Sequence, residues 1–208
     1  MVICREQNDY LRLFESVLRI KGGKQMAYFA VIDTETNWHD EVMSIGVVIA
    51  DSNSFEPVSS RYYIITPEYK AGGMFSHTLF FKNEKMNFEC SRKNAIYHLK
   101  GCFEEYGVTD IFAYNATFDY RHLPELSSFA WYDIMKLAAY RQHNPKISKD
   151  FDCYGTGRLK RGYGVEAILR LLSDDVTYCE QHNALTDALD ELKIMTLLQH
   201  KLNKYVQI

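Results

Sequence analysis

With 208 residues, 47% of them hydrophobic and 25% charged, the chain has the make-up of a globular protein large enough to bury its own core, so one domain with at most a small appendage is expected. A net charge of −3 excludes a general duplex-coating protein, which needs a basic stripe, but not a site whose carboxylates are neutralised by bound divalent cations. The five cysteines form no CxxC pair and no zinc spacing, the first fifteen residues carry charges where a signal peptide is apolar, and no apolar run approaches a membrane span, so a soluble, cytoplasmic protein with reduced thiols and no membrane partner is expected.

In chain order, residues 6–20 repeat apolar side chains at helical spacing and end at Lys21-Gly22-Gly23-Lys24, which sets 1–26 apart as a helical extension and leaves 27–208 as the main domain. The continuous apolar run 27–32 predicts a buried strand. Residues 42–50 and 61–65 read as second and third strands, separated by the turn Asp51-Ser52-Asn53-Ser54, so the domain should open with an antiparallel meander. Residues 67–87 carry no clear period, and Phe75, Phe80 and Phe81 there need cover. A helix is predicted over 91–106, closed by Gly107, followed by a short strand at 110–114 and helices at 120–126 and 132–142. The stretch 142–163, with Pro145, Gly155, Gly157 and Gly162, reads as loop, and helices at 165–172 and 184–200 close the chain. Strands first and helices interleaved later predict an α/β fold with a mixed five-stranded sheet.

Three segments carry chemistry. In Val31-Ile32-Asp33-Thr34-Glu35-Thr36 two carboxylates end an apolar strand and, two residues apart, face the same way. Such a pair repels unless cations sit between its members. In Ala113-Tyr114-Asn115-Ala116-Thr117-Phe118-Asp119 a strand runs out and an acid falls in the first turn of a helix. In His182-Asn183-Ala184-Leu185-Thr186-Asp187 a helix capped by Asn183 holds Asp187 in its first turns, with His182 on irregular chain before it. Each segment alone also reads as solvated acids at an element's end; the combination in this order is far more specific.

Together these segments resemble the DEDDh exonuclease superfamily, the ribonuclease H-like 3′→5′ exonucleases that include proofreading subunits, ribonuclease T and oligoribonuclease. The family's D-x-E is matched by Asp33-Thr34-Glu35, its middle acid by Asn115 with Phe118-Asp119, and its histidine followed five residues later by aspartate by His182 and Asp187. The resemblance spans roughly residues 28–198. It departs after the first motif, where many members have a small-residue turn with Gly-Leu and this chain has Asn37-Trp38-His39-Asp40.

The resemblance implies a ribonuclease H-like fold and removal of nucleoside 5′-monophosphates from the 3′ end of single-stranded RNA or DNA, with RNA somewhat favoured. It implies two divalent cations, Mg²⁺ or Mn²⁺, about 4 Å apart, held by Asp33, Glu35, Asp119 and Asp187, with Asp33 shared between them. His182 is expected to take the proton of the attacking water, in preference to His77, His98 and His122. Thr34, Thr36, Trp38, Asn115, Phe118 and Arg158 are the expected substrate contacts, Trp38 by stacking and Arg158, with Lys160 and Arg161, on phosphate. Asp190 and Glu191 read as a solvated face. Dimers occur in several relatives, so a homodimer is an expected partner state. The competing reading is a non-catalytic nucleic-acid or protein-binding module on the same fold; retention of all five reactive groups argues against it.

Overall fold

A computed structural model describes residues 27–208. The expected helix at 6–20 and the 1–26 extension lie outside the described residues. A seven-stranded mixed sheet runs in the order β4-β3-β2-β1-β5-β6-β7. Strands β1 (Tyr28–Thr36), β2 (Val42–Asp51) and β3 (Pro57–Ile65) form the antiparallel meander. On the other flank of β1, β5 (Asp110–Ala113) and then β6 (Ala130–Asp133) pair in parallel. Two-residue strands β4 (Glu89–Cys90) and β7 (Val206–Gln207) close the edges.

The continuous apolar runs predicted strands buried on both sides, and β1 and β2 are so buried: Phe29 to Ile32 and Val47 to Ala50 are sealed from solvent. On one face Ala30, Ile32, Ile45 and Val47 pack against helix α1 (Arg92–Tyr106), through Ala95, Ile96, Leu99 and Phe103. Ser91 caps that helix and Gly107 ends it in the left-handed conformation, as the sequence implied. On the other face Phe29, Val31, Val48 and Ala50 pack against α4 (Val165–Ser173) and α5 (Ala184–Leu198). Between them in the chain lie the short α2 (Thr117–His122) and the single turn α3 (Met135–Ala138).

Three expectations are corrected. The sheet has seven strands rather than five, because β4, β6 and β7 are too short to show a period. The helix expected at 132–142 is β6 followed by one turn: Ala130-Trp131-Tyr132-Asp133 pairs with β5, and aromatic residues that also suit a helix face are used on a pleat. The helix expected at 120–126 begins at Thr117, breaks at Leu123 and continues as a 3₁₀ turn, Pro124–Leu126, since proline cannot continue an α-helix without losing a hydrogen bond. Among the described residues no helix is long and apolar enough to cross a membrane, and Cys90, Cys102, Cys153 and Cys179 form no disulfide.

Candidate active site

The site lies where the sheet changes sense, at the carboxyl ends of β1 and β5. β1 is antiparallel to β2 on one side and parallel to β5 on the other, and such switch points open a crevice beyond the strand ends. Strand alternation turns Asp33 and Glu35 to the α5 side, in line with Phe29 and Val31. A register shift between Glu35 and Thr36 ends the regular pairing there. Opposite Asp33 is Gly46, and α5 begins directly above it. A Cβ at Gly46 would stand 2.1 Å from the backbone carbonyl of Ala184 and 2.2 Å from the amide of Leu185. Asn183 fixes this helix start by accepting from the amides of Leu185 (3.1 Å) and Thr186 (3.4 Å). Asp187, in the first turn, is thereby brought over β1. Asp119 comes from α2 on the other side of the strand end, where Thr34 Oγ1 donates to its Oδ1 at 2.8 Å.

These carboxylates are close enough to distort one another's protonation. Burial raises Asp33 well above the usual carboxylate range, with Asp119, Glu191, Asp187 and Glu35 each adding to the rise. Burial, then Asp187, pushes Glu35 up to about 8. Burial, then Glu180, pushes Asp187 up to about 8. Asp119 is raised by burial to about 7, against the Thr34 hydrogen bond, which pulls the other way. Loss of solvent is the largest cause at all four acids, and at Asp33, Glu35 and Asp187 a neighbouring acid comes next.

His182 takes a left-handed backbone conformation, φ +52°. Its ring stacks on Phe75, with centroids 3.9 Å apart and planes 17° from parallel. Its carbonyl accepts from Thr78 Oγ1. The neighbouring Asn183 Nδ2 donates to Thr78 O at 2.9 Å and to the Tyr62 hydroxyl at 3.0 Å, and Tyr62 donates onward to Leu79 O. Segment 75–79 is therefore the buttress of the histidine turn. One ligand atom each of Glu35, His182 and Asp187 lies within 4.8 Å of the others.

A cleft of about 500 Å³ opens over this group. Asp33, Thr34, Glu35 and Thr36 form its floor; Asn37, Trp38 and Asp40, then Met74 and Phe75, Phe118, and Glu180, His182 and Asp187 form its walls. Trp38 is 66% exposed at the rim.

No family model and no curated protein matches the chain. Solved structures do. The nuclease domain of 3′hExo, a DEDDh family member, bound to rAMP, superposes with a TM-score of 0.59 at 13% identity, over 90% of this chain and 98% of that one. A 3′-exonuclease solved with the 3′ end of a histone mRNA stem-loop gives 0.56 at 12% identity, over 98% and 78%. The zinc-bound E. coli exonuclease I complex with single-stranded DNA gives 0.57 at 12% identity, over 86% of this chain but 42% of that one. The fold is that of the DEDDh 3′ exonucleases. At such identities the likeness establishes the architecture, and what this chain's own side chains do within it rests on the geometry above.

Within that exonuclease fold, Asp33, Glu35, Asp119, Asp187 and His182 converge, although 154 positions separate Asp33 from Asp187 in the chain. Thr34, Thr36, Trp38 and Phe118 also border the cleft, whereas Asn115 and Arg158 do not. Asn115 is exposed at the β5–α2 turn with φ +61°, and Arg158 lies on a separate hairpin. His122 is buried, contacting Phe118 O at 2.9 Å and Asp40 Oδ1 at 3.1 Å. The reading of Asp190 and Glu191 as a solvated face is corrected. Glu191 is 1% exposed, its Oε2 accepts from the Tyr114 amide at 3.0 Å, and Asp190 accepts from the Tyr178 hydroxyl. Sequence reasoning also missed Glu180 and Phe75. Glu180 stands two residues before His182, a spacing that could have raised it; Phe75 lies in a stretch with no period, and only the tertiary fold brings it to the histidine.

The donors suit hard divalent cations. Asp187 Oδ1 is buried without a hydrogen-bond partner among the described residues, and a carboxylate oxygen in that condition is costly unless a cation meets it. The set is four carboxylates with one imidazole, and among the described residues no thiolate lines the cleft.

Proposed function

We propose that the chain is a metal-dependent 3′→5′ exonuclease of single-stranded nucleic acid that releases nucleoside 5′-monophosphates. The observation that carries this reading is the convergence of Glu35, His182 and Asp187 to within 4.8 Å at the end of the strand that also bears Asp33. Asp33, Glu35, Asp119 and Asp187 would hold two divalent cations, Mg²⁺ or Mn²⁺. When bound, such ions supply charge neutralisation at a phosphodiester and acidify water.

The chain's own residues do the rest. His182 accepts the proton of the water that attacks phosphorus, and stacking on Phe75 restricts its ring to one plane. Thr34 holds the Asp119 carboxylate by hydrogen bonding to one of its oxygens. Trp38, exposed at the rim of the cleft, stands where the end of a strand would enter. Trp38 and Phe118 offer ring faces to the terminal bases, which gives affinity with little sequence preference. Thr34 to Thr36, which line the cleft, would meet the terminal 3′-hydroxyl.

The test uses 5′-labelled and 3′-labelled single-stranded RNA and DNA with Mg²⁺ or Mn²⁺. Shortening from the 3′ end, release of mononucleotides, loss with a chelator, and loss in both Asp33→Ala and His182→Ala are expected. Full activity in either variant, or internal cleavage in place of a 3′ ladder, refutes the assignment. Comparing the two ions and the two polymers decides metal and substrate preference.

A further inference from the structure

Residues 140–163, of which 142–163 read as loop in the sequence, hold a built surface far more basic than the chain around it. Six lysines and arginines stand there against two aspartates, Asp150 and Asp152, a net of +4 within a chain of net −3. Two isolated bridges, Tyr140 with Arg158 and Cys153 with Leu159, fold the stretch into a hairpin. Its tip turns through a Gly157 amide bond to Tyr154 O at 2.8 Å, with Gly157 at φ +87°. Leu159, buried, anchors it to the core through its amide bond to Ala139 O at 2.9 Å.

On the outside the guanidinium of Arg158 lies between two tyrosine rings, 5.0 Å from the centre of Tyr154 and 5.2 Å from that of Tyr163. Both rings remain about half exposed, 47% and 40%. Lys160 pairs with Asp152, but Arg158 and Arg161 meet no carboxylate among the described residues. Arg161 and Phe151 border an adjoining hollow of about 450 Å³. Cations without counter-ions, interleaved with half-exposed rings, match a polymer of phosphates and flat bases; an acidic peptide would use the charge and leave the rings unexplained.

Position ties this surface to the cleft. The Tyr114 hydroxyl donates to the Tyr163 carbonyl, and the Tyr114 amide donates to Glu191 beneath the acidic centre. One residue thus bonds both to the hairpin and to Glu191, next to Asn115.

We infer that the Tyr154–Arg158–Tyr163 hairpin is a second, non-catalytic binding surface for single-stranded nucleic acid, holding the chain 5′ of the nucleotides in the cleft. The inference rests on the exonuclease reading and names its substrate class: strands long enough to reach the hairpin. It makes the enzyme length-dependent, with short oligonucleotides bound by the cleft alone.

The test measures binding by the full chain in chelator, where nothing is hydrolysed, using 5′-fluorescein oligouridylates of three and sixteen residues. The sixteen-mer is expected to bind about tenfold or more tighter, the scale of one stacked base. The double substitution Tyr154→Ala/Arg158→Ala should abolish that preference, while Tyr154→Phe keeps it. Arg161→Glu, at an exposed side chain, should weaken the sixteen-mer and flatten its salt dependence by roughly 0.7 for each phosphate no longer neutralised. It should leave three-mer affinity far less affected than that of the sixteen-mer, and it carries the test if the double variant fails to fold. Equal affinity of wild type for both lengths, or unchanged sixteen-mer affinity in Arg161→Glu and in a folded double variant, overturns the inference. So does heparin binding that needs Arg161 but not the rings. Failure of the exonuclease reading is seen separately, as no hydrolysis of either oligonucleotide by wild type.

Discussion

Asp187 and Glu191 stand one turn apart on the same face of α5, and both are buried. Glu191 Oε2 accepts from the Tyr114 amide, while Asp187 Oδ1 is buried without a hydrogen-bond partner among the described residues. The first is therefore a strut between α5 and the exit of β5, and the second is free to take a cation. Glu191→Gln keeps an oxygen for the Tyr114 amide and should leave the melting temperature near that of the wild type. Glu191→Ala leaves a buried N–H unpaired and should lower stability by about 1–3 kcal/mol, read by thermal denaturation. His182→Ala should slow hydrolysis by about 10²- to 10⁴-fold, the range of a general base, with little loss of stability because the residue is partly exposed. A single-turnover assay with matched melting curves separates the two effects.

At the scale of elements, the decisive contact is α5 on β2. The helix start rests on Gly46 so closely that any side chain would strike the backbone of Ala184 and Leu185. Backbone cannot rotate out of the way as a side chain can, so Gly46→Ala must lift the first turn of α5. Overpacking of this kind costs about 1–3 kcal/mol. Because Asp187 and His182 lie at that same turn, the variant should lose activity out of proportion to its stability, by more than about tenfold in kcat at a temperature where it is fully folded. Circular dichroism and an exonuclease assay on one preparation check this. A folded Gly46→Ala with wild-type kcat would show that the helix position does not set the geometry.

For the whole molecule, the acidic centre makes stability depend on pH and on divalent cations together. Glu35 and Asp187 are pushed up to about 8 and Asp119 to about 7, chiefly by burial. Folded values above the ordinary carboxylate values of about 4 mean that the folded state holds protons the unfolded chain has released. Their stabilising effect is complete below about pH 4 and is lost as pH rises through 7 to 8. Metal-free protein should therefore melt at progressively lower temperature as pH is raised from about 5 to about 8.5. Mg²⁺ or Mn²⁺ at about a hundred times its dissociation constant should restore about 5–10 °C, with the larger rise at the higher pH, since cations bind the deprotonated acids. Scanning calorimetry with and without chelator reads both effects; a melting temperature rising with pH in the absence of metal contradicts this linkage.

Local patterning was enough to place β1, β2, β3, α1 and α5, because long apolar runs and capped amphipathic stretches declare themselves within a few residues. Asp33, Glu35, Asp119, His182 and Asp187 were legible only as an ordered set resembling the DEDDh pattern, since each segment alone also reads as solvated acids at an element's end. What no window of sequence contains is which faces meet. Packing across the sheet decided that Glu191 is buried, that Phe75 covers His182, and that Arg158 belongs to a hairpin outside the cleft. The short strands β4, β6 and β7 exist only because a neighbour supplies their hydrogen bonds. Periodicity is a property of the chain, whereas the convergence of distant carboxylates and the pairing of two-residue strands depend on contacts between segments that are far apart along it.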